Sequence, residues 1–194
     1  MAQGLFGNQM LAVFALWPVG HFYSSELHTM VGFHVWQLVT SAFLHASWVH
    51  IGLNMYALFL FGRDVEKEMG SKYYLILYFA AVLSAGLVQL FVSSLSSSTG
   101  AYPTIGASGG VFGVLLAFGI LYPQRLIFMF FPPIALPAWL FVIVYGLIEL
   151  ANGVFGTEAG VAHFAHLGGM LGGYLVIRYW QKHQLDTRHS GLYV

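Results

Sequence analysis

The chain has no cysteine, which excludes disulfides and thiolate chemistry and leaves the redox compartment open. Charge is scarce as well. Asp, Glu, Lys and Arg make up 7% of the residues, against about 25% in an average soluble domain. A water-facing surface cannot be assembled from that inventory. The formal net charge is zero, so nothing in it points to nucleic acid or an acidic substrate. Met1 to Gly20 hold no Lys or Arg, so the charged n-region of a cleavable signal peptide is missing. The length of 194 residues suits one compact domain.

What is plentiful is apolar: 58% of the residues. Crossing a hydrocarbon core as a helix takes roughly 20 mostly apolar residues. Tyr73 to Val92 and Gly160 to Trp180 meet this, and Gly106 to Tyr122 is apolar but somewhat short. Trp48 to Phe61 is a fourth span. Leu126 to Leu150 is interrupted by Pro132, Pro133 and Pro137, which predicts a broken entry and a helix from about Pro137. Leu5 to Val19 is apolar but short, so the first helix is expected to be shortened or truncated. The fold class is all-α, a polytopic transmembrane helix bundle. Residues 1–194 are read as a single domain: a shortened first span and outer loop over 1–47, a five-helix portion over 48–180 and a tail over 181–194.

The seven Lys and Arg residues set the orientation. Arg63, Lys67 and Lys72 follow the Trp48 span, Arg125 follows the Gly106 span, and Arg178, Lys182 and Arg188 end or follow the last span. The connections Ser93 to Ile105 and Ala151 to Ala159 carry none. By the positive-inside rule the basic connections and the C-terminus are cytoplasmic. The short chain and bare termini suggest a bacterial inner membrane.

Three spans then begin at the outer face, and their first turns are polar. His50 and Asn54 stand on the first, Ser108 on the second, His163 and His166 on the third. At 1.5 Å per residue each lies within about 10 Å of its helix end. Polar groups at that depth usually face a bundle interior or a water cavity. His50 and Asn54, at i and i+4, share a helix face, and His163 and His166, at i and i+3, lie close together. Ser108 sits among small residues in Gly106-Ala107-Ser108-Gly109-Gly110. A helix N-terminus offers free N–H groups to a developing oxyanion. Serine needs a base, and imidazole suits near-neutral pH. His50 and Asn54 can donate to the oxyanion beside the Ser108 N–H. No acid completes the set, because Glu149 and Glu158 have no compelling spacing to His166. The chemistry is therefore that of a Ser–His dyad.

Blander roles compete. Ser108 could be a helix N-cap, His166 and Asn54 interhelical hydrogen-bond partners, and His45 an organiser of the outer loop. Glu66 fits an anchor for its loop, with Arg63 or Lys67. A metalloenzyme built on His45, His50, His163 and His166 is disfavoured, since no His-Glu-x-x-His occurs. No inverted repeat or paired broken helix points to a transporter.

At these residues the chain resembles the rhomboid family of intramembrane serine proteases, from about Trp36 to Trp180. Trp36-Gln37-Leu38-Val39-Thr40 resembles the segment before that family's second helix. His45, His50 and Asn54 match its His-x4-His-x3-Asn pattern, and Phe61-Gly62-Arg63 with Glu66 resembles the following turn. Gly106-Ala107-Ser108-Gly109 resembles the nucleophile motif, and Ala165-His166-Leu167-Gly168-Gly169 with Gly173 the last helix. The resemblance implies a six-helix core, Ser108 as nucleophile and His166 rather than His163 as base. It also implies close packing of the two catalytic helices through Gly169 and Gly173, and a lateral gate in the helix after Pro137. Single-pass membrane proteins in the bilayer would be the substrates, with no cofactor and no metal. Phe112 stands where some members have a tyrosine that stacks on the catalytic histidine. A non-catalytic relative that binds membrane clients is the alternative.

Overall fold

A computed structural model describes residues 7–95, 102–129, 133–156 and 162–190, the last five by backbone alone. Leu5, Pro132, Glu158 and Gly160 lie outside the described residues. Backbone in lipid must satisfy its own hydrogen bonds, so the apolar segments become helices. The chain opens with α1 (Asn8–Phe14) and an antiparallel hairpin of β1 (His21–Ser24) and β2 (Thr29–Gly32). Next come α2 (Gln37–Thr40) and a 3₁₀ turn (Ser41–Phe43). α3 (Trp48–Ala57), a π segment (Leu58–Gly62) and α4 (Arg63–Met69) follow as one continuous helix, bent by 100° from the preceding one. α5 (Ser71–Leu95) and α6 (Ser108–Leu121) lead to a second hairpin, β3 (Leu126–Phe128) with β4 (Ala135–Pro137). α7 (Ala138–Phe155) and α8 (His163–Ser190) complete the bundle.

The helical membrane bundle is as the sequence predicts, with a short first helix. α1 has 7 residues, a rise of about 10 Å. Among the described residues α5 and α7 are each long and apolar enough to cross a membrane, and the bent pair adds a third if it is taken as one span. α6 is apolar but has only 14 residues. α8 is long, but His163, His166 and Arg178 lie within its apolar stretch.

Some local readings change. Phe61-Gly62-Arg63 is not a turn, because Gly62 keeps helical angles and the chain breaks at Gly70, where φ is +79°. Gly70 has no side chain to oppose that conformation. The proline-rich entry folds as the β3–β4 hairpin, and Pro137 stands at the N-cap of α7. The Ser71 hydroxyl donates to Glu66 at 2.7 Å, so Glu66 anchors its loop through serine rather than through Arg63 or Lys67. Arg125 pairs instead with Asp64, at 2.8 Å. On the same face the Tyr122 hydroxyl donates to the Asp64 carbonyl at 3.2 Å.

α8 packs against both α5 and α6, and lipid offers little hydrophobic drive for that contact. Close backbone approach and van der Waals packing must supply it. The glycines of α8 come in adjacent pairs that serve two neighbours. A Cβ on Gly172 would lie 2.6 Å from the Ala80 carbonyl of α5, and one on Gly173 2.6 Å from the Gly113 carbonyl of α6. Towards the basic face Val65, Leu77, Val114, Phe118 and Ile177 form the main core. A second cluster, with Leu11, Trp17, Val31 and Leu44, ties α1 to the first hairpin.

Candidate active site

Gly106 approaches α6 with φ of +124°, and its N–H donates to the Ser41 carbonyl at 3.0 Å. The strand of chain before it is pinned by reciprocal Leu16–Thr104 backbone bonds of 2.9 and 3.0 Å. The Ala107 N–H donates to His45 Nε2 at 3.4 Å. His45 therefore orders this loop, and Ser108 starts α6 at a fixed point. The helix geometry leaves the N–H groups of its first turn without intrahelical acceptors.

Ser108 Oγ lies 2.8 Å from His166 Nε2. His166 stacks on Phe112, with ring centroids 4.3 Å apart and planes 7° apart. Phe112 is one turn along from Ser108, so α6 supplies both the hydroxyl and the surface that orients its partner. Gly169 brings the helices to this distance: a Cβ there would collide with the Gly109 carbonyl. Gly109 is equally confined, against Ala85 of α5.

Glu149 of α7 completes the arrangement from the far side. Its Oε2 accepts from His166 Nδ1 at 2.9 Å and from His163 Nδ1 at 2.7 Å. All three residues are buried. Glu149 thus joins the site, contrary to the expectation from its spacing to His166. α7 presents Gly146, Glu149 and Gly153 to α8, with Met170 against the first and Phe164 and His163 against the last. Small residues three before and four after an acid mark one helix face, and that spacing was the available signal. Glu149, His163 and His166 also present metal-type ligand atoms within 4.8 Å of one another. Both imidazole Nδ1 atoms are already bonded to the carboxylate, which favours a hydrogen-bonded triad. His45 and His50 lie together by the serine loop, ring centroids 5.0 Å apart.

A cavity of about 390 Å³ opens beside the pair, lined among others by Ser108, His166, His50, Asn54 and Gly106. His50 passes over Gly106 so closely that a Cβ there would lie 2.8 Å from its ring. The Ala46 N–H faces its Nδ1 at 3.4 Å. Asn54 is buried, and its Nδ2 has no partner among the described residues. A buried donor without an acceptor is costly, and Asn54 lines the cavity that Ser108 also lines.

The rhomboid domain family matches residues 32–182 of this chain. The chain belongs to the rhomboid family. It is 33% identical over 148 residues to Rhomboid protein 1, mitochondrial, of Saccharomyces cerevisiae, which covers 75% of this chain and 42% of that protein. It is 28% identical over 179 residues to RHOMBOID-like protein 12, mitochondrial, of Arabidopsis thaliana, covering 85% of this chain and 50% of the relative. The presenilin-associated rhomboid-like protein, mitochondrial, of Bos taurus is 33% identical over 145 residues, covering 73% and 37%. This rhomboid chain thus spans half or less of the length of these relatives. All three names place those proteins in mitochondria, which overturns the bacterial inner membrane expected from sequence. The length and bare ends of a chain matching only part of its relatives carry no information about compartment. "Cytoplasmic" therefore no longer names the basic side.

Proposed function

We propose that this rhomboid chain is an intramembrane serine endopeptidase of a mitochondrial membrane. The observation that carries it is the 2.8 Å contact of Ser108 Oγ with His166 Nε2 beside a cavity that admits water. In the first step Oγ bonds to a peptide carbonyl carbon while its proton passes to His166 Nε2. The carbonyl electron pair becomes an oxyanion. The Ser108 N–H, Asn54 Nδ2 and His50 are its donors. Collapse breaks the C–N bond, and His166 returns the proton to the leaving amine. Water, deprotonated by the same imidazole, then hydrolyses the acyl-serine.

The substrates are single-pass membrane proteins reached through the bilayer, with α7 as the lateral gate. A client-binding role without catalysis would not need hydroxyl, imidazole and orphaned amide around one cavity. Cleavage of a fluorescent single-pass substrate in liposomes tests the reading. Wild type cuts and Ser108→Ala does not; cutting by both removes Ser108 as nucleophile, and cutting by neither favours the binding role.

A further inference from the structure

We infer that Glu149 is a positioning residue for His166, held in place by His163. The inference rests on the proposed roles of Ser108 and His166 and deepens them. His166 can accept the Ser108 proton only if Nε2 carries a lone pair, so the neutral ring must hold its proton on Nδ1. A neutral imidazole has no strong intrinsic reason to choose that tautomer. The Glu149 carboxylate chooses it: Oε2, 2.9 Å from Nδ1, is acceptor-only when ionised. The same oxygen accepts from His163 Nδ1 at 2.7 Å, so the carboxylate is fixed by a second donor and cannot swing away. When His166 takes the proton, the carboxylate faces the imidazolium.

The helices are shaped for this contact. Gly153 lets α7 pass the first turn of α8, where a Cβ would lie 2.9 Å from the Phe164 ring and 3.3 Å from His163 Cβ. An ionisable residue at this depth in a membrane is expensive and tends to be paired and functional. A purely structural Glu149 would tie α7 to α8 without regard to the His166 proton. The two roles separate by experiment.

Kinetics are measured in liposomes with wild type, Glu149→Gln, Glu149→Asp and His163→Asn. Glu149→Gln is expected to lower kcat about 100-fold or more with KM changed less than about threefold, since an amide no longer enforces the tautomer. Glu149→Asp recovers at least about tenfold of that loss, and His163→Asn lowers kcat less than Glu149→Gln does. The ¹⁵N spectrum of histidine-labelled wild type should show His166 protonated on Nδ1, and Glu149→Gln should lose that signature. An unchanged kcat in Glu149→Gln, or a wild-type His166 protonated on Nε2, overturns the inference. Parallel losses in kcat and KM in the Gln and Asp variants also overturn it, in favour of helix packing alone. If wild type itself fails to cleave, the protease reading falls, while the spectrum still decides whether Glu149 sets the tautomer.

Discussion

Gly169 of α8 rests directly on the Gly109 carbonyl of α6, one residue beyond Ser108 and three beyond His166. The contact sets the distance between hydroxyl and imidazole, so packing and chemistry share it. Gly169→Ala would place a methyl group against backbone that cannot rotate away. The helices must separate by a fraction of an ångström or more, at an overpacking cost of about 1–3 kcal/mol. Cleavage is expected to fall at least about tenfold, because small misplacements of reacting groups are costly in rate. The thermal midpoint should fall with it. Wild-type cleavage and melting in Gly169→Ala would contradict the tight approach.

Phe112 lies flat on His166 at a centroid distance of 4.3 Å. Stacking limits ring rotation, and an aromatic pair of this kind contributes about 0.5–1.5 kcal/mol beyond its buried area. Phe112→Tyr keeps the ring and should retain near-wild-type cleavage. Phe112→Ala removes it, and kcat should fall roughly tenfold, about 1.4 kcal/mol of barrier. Equal rates in the Tyr and Ala variants would show that the stack does not orient the base.

Much of this site was legible because motifs in lipid are cheap to read. Ser108, His166, His50 and Asn54 are polar exceptions on apolar helices, and helix depth follows from counting residues. Glu149 was not legible in the same way. It lies nearer the far end of α7, on a helix running opposite to α8, and sequence separation says nothing about such cross-helix contacts. The hairpins were missed because their strands, such as Leu126–Phe128, are short and apolar in a chain where apolar runs read as helix. Gly62 looked like a turn, although its neighbours hold it helical and Gly70 carries the left-handed angle. Pairing of Asp64 with Arg125 depends on how α4 meets the end of α6, which no local pattern encodes.

Gln37 is fully buried and makes four hydrogen bonds to backbone groups. Its Oε1 accepts from the Trp17 N–H at 3.3 Å and the His34 N–H at 3.0 Å. Its Nε2 donates to the Val13 and Gly32 carbonyls, each at 3.2 Å. One side chain thus ties α1, the first hairpin and α2 together. Leu16, three residues from Val13, pairs with Thr104 ahead of the serine, so the tie extends towards the site. Gln37→Leu keeps the volume but strands backbone groups, each costing about 1–3 kcal/mol. The melting temperature should fall clearly, and cleavage with it as the loop loosens. A variant as stable as wild type would mean that other contacts hold the N-terminal segment.

Asn54 separates oxyanion stabilisation from helix packing. Its amide Nδ2 is buried and without a partner among the described residues, and Asn54 lines the cavity that Ser108 also lines. An oxyanion donor is expected to have no partner until the tetrahedral intermediate forms, since its value lies in being aimed at charge that does not yet exist. Asn54→Ala should therefore slow kcat roughly 10–1000-fold while KM changes little. The melting temperature should hold or rise, because an orphaned polar group has been removed. Asn54→Asp cannot donate from its carboxylate and should be at least as slow. A large loss of stability in Asn54→Ala with unchanged kcat would assign the residue to packing and leave the Ser108 N–H and His50 as the remaining donors.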